Sequence, residues 1–331
     1  MHIADRLIRT IQPVLTDRNP PPMVRALQQI RRQAVDETLA ASQTIGATAS
    51  ADITAGVEGA RGNLAAAAED ALADYHRRVL AAPHPAHRIA TRIDSGWHDP
   101  DLPELLDDPS LDEGLRRRIM HRLDHINHVL GNYDRFLDAL VPYLRTDGPT
   151  TILDLAAGHG GFAIAATEAA KARGFDLRFV ATDLKQEYLD LGAEEARKRG
   201  VDVKFAVQDA LNLENLADER FDIVVCTQSL HHFPAGLVTV MFDAAARVAG
   251  RAVVFIDGCR SALTGFGLGV WGLAHERRWA AFSHDAFASA RRFYVPEELE
   301  LLCRMTPLGN GVQVRWIRPG HICAAIEIDS P

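Results

Sequence analysis

The sequence predicts an α/β fold: a mostly parallel seven-stranded sheet with an antiparallel C-terminal hairpin, preceded by an N-terminal α-helical domain. Two observations predict it. From about residue 150 onward, short apolar runs alternate with segments of helical periodicity, the order that builds parallel strands covered by helices on both faces. Before that point the chain shows alanine-rich helical spacing and no strand-like run.

The elements follow in order. The opening stretch MHIADRLIRTIQPVLTDRNP reads as an amphipathic helix with acids inside it rather than a signal peptide. Pro20, Pro21 and Pro22 separate it from a helix running from Met23 to about Gln43, where Val24, Leu27, Ile30 and Ala34 recur at helical spacing. Residues 44–63, rich in Ala, Gly, Thr and Ser, leave loop and helix both open. A helix from Leu64 to Leu80 ends at Pro83 and Pro85. Segment 83–110 reads as a connecting arm, and helices 111–130 and 133–144 follow, parted by Gly131-Asn132. Strands are expected at 152–155, 177–182, 203–207, 221–227 and 252–256, with helices at 162–173, 186–199 and 237–248 between them. Two last runs, 312–317 and 321–328, joined by Arg318-Pro319-Gly320, read as the hairpin.

The 331 residues suggest two domains at about 150 residues each. The expected division is 1–145, helices that cap the site or dimerise, and 146–331, which carries an insertion at 259–295. A composition 47% hydrophobic and 24% charged excludes a disordered chain. The net charge of −8 argues against a nucleic-acid binder that works through bulk electrostatics. Cys226, Cys259, Cys303 and Cys323 form no CxxC pair and fall in core-like segments, so reduced, buried thiols are expected. No apolar run reaches the roughly 18 residues of a membrane span. The expectation is a cytoplasmic protein without stable membrane insertion.

The chemistry concentrates where the first strand ends, in Asp154-Leu-Ala-Ala-Gly158-His-Gly160-Gly161-Phe162. Glycines there allow a tight turn and close approach of a ligand, and the following helix offers free N–H groups. The dinucleotide pattern GxGxxG is not met, since Ala163 stands in its third position. Because alanine can replace that glycine, a NAD(P)-dependent oxidoreductase is demoted and remains an alternative.

The pattern acidic-x-small-x-Gly-x-Gly, formed by Asp154, Ala156, Gly158 and Gly160, resembles the first motif of the class I S-adenosylmethionine-dependent methyltransferases. Ala156 stands where that family more often has glycine. Further matches follow in order: Asp183-Leu184 at the end of the second strand, Asp209-Ala210 after the third, and Phe221 through Gln228 to His231-His232 after the fourth. The approach helices are similar to those of bacterial small-molecule methyltransferases of the ubiquinone/menaquinone type. The resemblance implies a Rossmann-like domain that binds S-adenosyl-L-methionine. In it Asp154 organises the loop and the methionine amine, Asp183 holds the ribose, Asp209 lies by the adenine, and Tyr133 closes over the donor. Ala156, Gly158, Gly160, Leu184, Ala210 and Gln228 complete that set. Singly, each acid has a plainer role: Asp154 capping the loop, Asp183 capping helix 186–199, Asp209 a solvated turn acid. Three in register at successive strand ends argue against coincidence.

Candidate bases are His231 and His232, just past the fourth strand, and His284 beside Asp285. For His231 and His232 the plainer roles are a turn cap or donor contact and packing beneath the loop. The insertion, with Trp271, Trp279, Phe282, Phe287, Phe293 and Tyr294, suits a wall for an apolar or aromatic acceptor, or equally a helical pair completing the core. His121, His125 and His128 share one helix face, which reads as a polar face; no metal is expected. The expected activity is methyl transfer to a hydroxyl or carbon of a small phenol- or quinol-like acceptor, a small-molecule step of secondary metabolism. No nucleic-acid partner is expected, and a homodimer through the N-terminal helices is open. The non-enzyme alternative is a donor-binding regulatory subunit.

Overall fold

The computed structural model describes residues 22–49, 57–83, 85–216, 219–261 and 281–328. The opening stretch 1–20 and the insertion's residues 262–280, with Trp271 and Trp279, lie outside them.

The helices come first: α1 (Pro22–Ala49), α2 (Val57–Ala81), α3 (Pro85–Trp97), α4 (Glu113–Val129) and α5 (Asn132–Leu140). The α/β part follows as β1 (Thr150–Leu155), α6 (Gly161–Ala172), β2 (Leu177–Asp183), α7 (Gln186–Arg199), β3 (Lys204–Val207), β4 (Phe221–Thr227), α8 (Ala235–Val248) and β5 (Ala249–Gly258). Helix α9 (281–292), α10 (Pro296–Arg304), β6 (Gln313–Ile317) and β7 (His321–Glu327) complete it.

The seven strands form one sheet in the order β3-β2-β1-β4-β5-β7-β6. Strands β1 to β5 pair in parallel, and β7 inserts antiparallel between β5 and β6. The central parallel strands β1, β4 and β5 are rich in Val, Ile and Leu because both faces are covered. On one face α5 lays down Tyr133, Phe136, Leu137 and Leu140, at i, i+3, i+4 and i+7, against Phe162, Ile152 and Phe179. α7 stops at Gly200, whose φ of +66° ends the helix as few other residues can.

On the other face the N-terminal helices share a single apolar cluster with the sheet. Ala34, Val35, Leu39, Leu72, Tyr75 and Val79 are buried together with Phe242, Phe255 and Leu299. α2 crosses α8 so closely that a Cβ at Gly236 would stand 2.3 Å from the Ala65 carbonyl oxygen. Glu69 on α2 accepts the Gly236 N–H at 2.7 Å, capping α8 from another element. An ionic knot ties the same helices down. Arg260 donates to Glu298 at 2.6 Å and to Asp94 at 3.4 Å, and His76 meets Glu298 at 2.7 Å.

Two elements depart from the expectation. The connecting arm contains α3, because Pro85 occupies the first helical turn, where a missing N–H costs nothing. α10 likewise starts at Pro296, with Glu297 and Glu298 in its first turn. The four cysteines are free and buried. Among the described residues, no helix is long and apolar enough to cross a membrane.

Candidate active site

β1 delivers Asp154 into a turn built on left-handed backbone: φ is +48° at Ala156, +58° at Gly158 and +68° at Gly160. Ala156 adopts this conformation at a cost of about 1–2 kcal/mol, strain of a kind that collects at functional turns. The two glycines serve different ends. A Cβ at Gly160 would lie 2.8 Å from the Phe205 ring, so this glycine lets the loop pack on β3. A Cβ at Gly158 would meet nothing within 4 Å, so this glycine leaves open space.

Asp154 is buried, and neither carboxylate oxygen has a hydrogen-bond partner. Burial, with the Asp183 charge added, pushes its pKa well above the usual carboxylate range. Asp183 is half-buried. It accepts the N–H of Gly158 at 2.9 Å and of Lys185 at 3.0 Å, one on each oxygen, so both oxygens retain lone pairs. Asp209 is exposed and accepts the Leu211 N–H at 2.9 Å, an Asx-type turn. The three acids therefore stand at the C-terminal ends of adjacent parallel strands, where open α/β sheets bind ligands. They differ in state: one unpaired and shut in, one holding the loop, one in solvent. Leu184 is 65% exposed at the tip of β2, an apolar surface beside Asp183, and Ala210, after β3, is buried.

Helices α4 and α5 seat on this loop. The Tyr133 hydroxyl donates to Asp124 at 3.0 Å, and both groups come within 2.7 Å of where a Gly161 Cβ would lie. Asn127 donates to Gln228 Oε1 at 2.8 Å and accepts from Asn132 at 2.8 Å. Gln228 itself carries a φ of +56°, a second strained non-glycine at the end of a strand. Tyr133 and Gln228 thus share one network above the loop.

The histidines form a second centre. The His231 Nδ1 sits 2.9 Å from Asp257, whose carboxylate also accepts the His231 N–H at 2.8 Å. Its Nε2 faces Glu104 at 3.4 Å. Burial alone would lower the His231 pKa; Asp257 and Glu104 outweigh it and raise it to about 10. Burial likewise opposes ionisation of Glu104, but His231, His232 and Ser289 hold its pKa at about 2. His232, half-exposed, stands with Nδ1 3.2 Å from Asp107. A His231 held protonated is a proton donor rather than a base. His284 is exposed and its Nδ1 lies 3.1 Å from Asp285. Its described contacts include neither His231 nor His232. His121, His125 and His128 are all exposed on α4.

Glu104, Asp107, Asp257, Asp124 and Asn127 belong to these networks and were not among the candidate site residues of the sequence. Asp257 alone had a signal: it ends a strand, as Asp154 and Asp183 do.

Residues 152–251 match the family described as "Methyltransferase domain". A demethylmenaquinone methyltransferase of Bacteroides fragilis is 30% identical over 114 residues, 33% of this chain and 44% of that one. A ubiquinone/menaquinone biosynthesis C-methyltransferase of Nitrobacter hamburgensis is 30% identical over 141 residues, 40% of this chain and 54% of that one. The chain thus spans about half the length of these curated relatives. Among solved structures, a plantazolicin methyltransferase in complex with SAH aligns at 12% identity over 72% of this chain and 98% of its own, with a TM-score of 0.49. The magnesium protoporphyrin IX methyltransferase of Synechocystis PCC 6803, also with SAH, aligns at 14% identity over 68% and 91%, with a TM-score of 0.42.

Proposed function

We propose that this chain is a class I S-adenosylmethionine-dependent methyltransferase, a reading that the match of residues 152–251 to a methyltransferase domain supports, and that it transfers a methyl group to a hydroxyl or carbon of a small phenol- or quinol-like acceptor. The observation that carries the reading is Asp154. A buried carboxylate with both oxygens unpaired is costly, and it fits a group that brings a cation to it, as the donor's α-ammonium does. The remaining residues fit the rest of such a donor. Asp183 has lone pairs for ribose hydroxyls, Leu184 offers an apolar face to the base, and Gly158 leaves room for close approach.

The donor supplies a methyl group already activated on a sulfonium. The chain has to position an acceptor and accept its proton. His232 is placed to take that proton, because Asp107 on its Nδ1 orients the ring and supports the imidazolium that protonation would form. The quinone-type acceptor draws on the names of the two curated relatives. A small-molecule acceptor also suits a chain with a net charge of −8. The reading includes a cytoplasmic setting. It leaves a homodimer of the N-terminal helices Leu80, Ile89 and Ile93 as exposed apolar surface, since Val35, Leu39, Leu72, Tyr75 and Val79 pack within the chain.

The test is incubation of the purified chain with labelled donor and a panel of phenols, reduced quinones and nonaromatic alcohols. Label in a phenol or quinol supports the reading. Label confined to nonaromatic acceptors overturns the acceptor class.

A further inference from the structure

The histidine centre has a feature that proton transfer alone does not require: three ligand-type atoms converge. His231 Nε2 lies 3.4 Å from one Glu104 oxygen, and His232 Nε2 lies 3.9 Å from the other. All three donor atoms fall within 4.8 Å of one another. A tetrahedral ion with bonds of about 2.0–2.1 Å holds its ligand atoms roughly 3.3 Å apart, so small side-chain movements close this set around one ion.

The far side of each imidazole points the same way. His231 presents Nδ1 to Asp257 at 2.9 Å, and His232 presents Nδ1 to Asp107 at 3.2 Å. A carboxylate on the second ring nitrogen is the usual support of a metal-ligating histidine, because it fixes the tautomer and strengthens the ligand. Here both rings have one. Arg292 pairs with Asp107 at 2.7 Å and stands 3.6 Å from Glu104, offsetting part of the negative charge. The three carboxylates that touch the rings outnumber Arg292 and a protonated His231 together, and a divalent ion in place of the His231 proton would balance them.

We infer that Glu104, His231 and His232 form a binding site for a zinc-type divalent ion, with Asp257 and Asp107 as supports and an open position on the half-exposed His232 side. Two histidines and a glutamate with one open position form a donor set that zinc uses when it binds an exchangeable oxygen. An ion there would replace the proton on His231 Nε2 and occupy the His232 Nε2 that would otherwise accept one, so the ion itself would hold an acceptor oxygen and favour its deprotonated form. Only that last role rests on the methyltransferase reading; the metal site does not.

The test uses the full chain, stripped with a chelator and titrated with Co²⁺ and then Zn²⁺. Uptake is followed by visible absorption and by metal analysis, and donor-product binding is measured on the same samples. The expected result is one ion per chain with a four-coordinate cobalt spectrum. Asp107→Asn should weaken affinity by about 10–100-fold, and His232→Gln by at least as much. Both side chains are partly exposed, so folding should survive, and circular dichroism checks it. No stoichiometric uptake overturns the site, as does uptake unchanged in both variants. A chain that binds donor product but no metal sinks this inference alone, and one that binds metal but no donor product sinks the functional reading alone.

Discussion

The Gly158 amide donates to the Asp183 carboxylate at 2.9 Å, fastening the glycine loop to the end of the neighbouring strand. Asp183 therefore holds the loop in shape and also presents lone pairs to a ligand. Asp183→Ala removes both and should weaken binding of S-adenosylhomocysteine by about 1–3 kcal/mol. Calorimetry on the variant checks it, and unchanged affinity would remove Asp183 from the site.

Asp154 has the opposite balance. Its unpaired carboxylate penalises the ligand-free fold, so Asp154→Ala should leave thermal stability equal or raise it, by on the order of 1 kcal/mol. The same variant should lose the stabilisation that donor product confers. Thermal unfolding with and without S-adenosylhomocysteine measures both. A variant destabilised alone and still stabilised by ligand would show that Asp154 is structural.

The ionic knot at Arg260 should be costly to break. Arg260→Ala leaves Glu298 buried without its guanidinium and removes the partner of Asp94, so a loss of about 3–5 kcal/mol in unfolding free energy is expected. Denaturant titration reads it. A loss under about 1 kcal/mol would mean that the knot behaves like an exposed pair.

Acid should destabilise the fold through His321 and His98. Burial is the leading cause that lowers each from 6.5 to about 4. The unfolded chain then binds more protons between these values, so their contribution is present above about pH 6.5 and is lost as pH falls toward 4. Denaturation midpoints should fall across that window, and His321→Gln should flatten part of the slope. A slope identical in the variant would exclude His321 as a source.

Much of this was legible in the sequence for local reasons. Helix Gln186–Arg199 and strand Phe221–Thr227 have the expected bounds because periodicity, a capping glycine and apolar runs are near-neighbour signals. The order of acids at strand ends was readable because each follows its own strand. The hydrogen bond of Asp183 to Gly158 was not, since it joins two strand ends brought together only by the sheet. Glu104 and Asp107 sit in a Pro- and Asp-rich segment with no pattern, and become functional candidates only when folding lays them on His231 and His232. What separates the candidate bases His231 and His232 was hidden for the same reason: the two carboxylates that raise the His231 pKa come from distant segments.

The most direct measurement is calorimetric titration of the full chain with S-adenosylhomocysteine and, separately, NADH. Saturable binding of S-adenosylhomocysteine that is abolished in Asp154→Ala, with no binding of NADH, is the predicted result. Saturable NADH binding with no response to S-adenosylhomocysteine would contradict it.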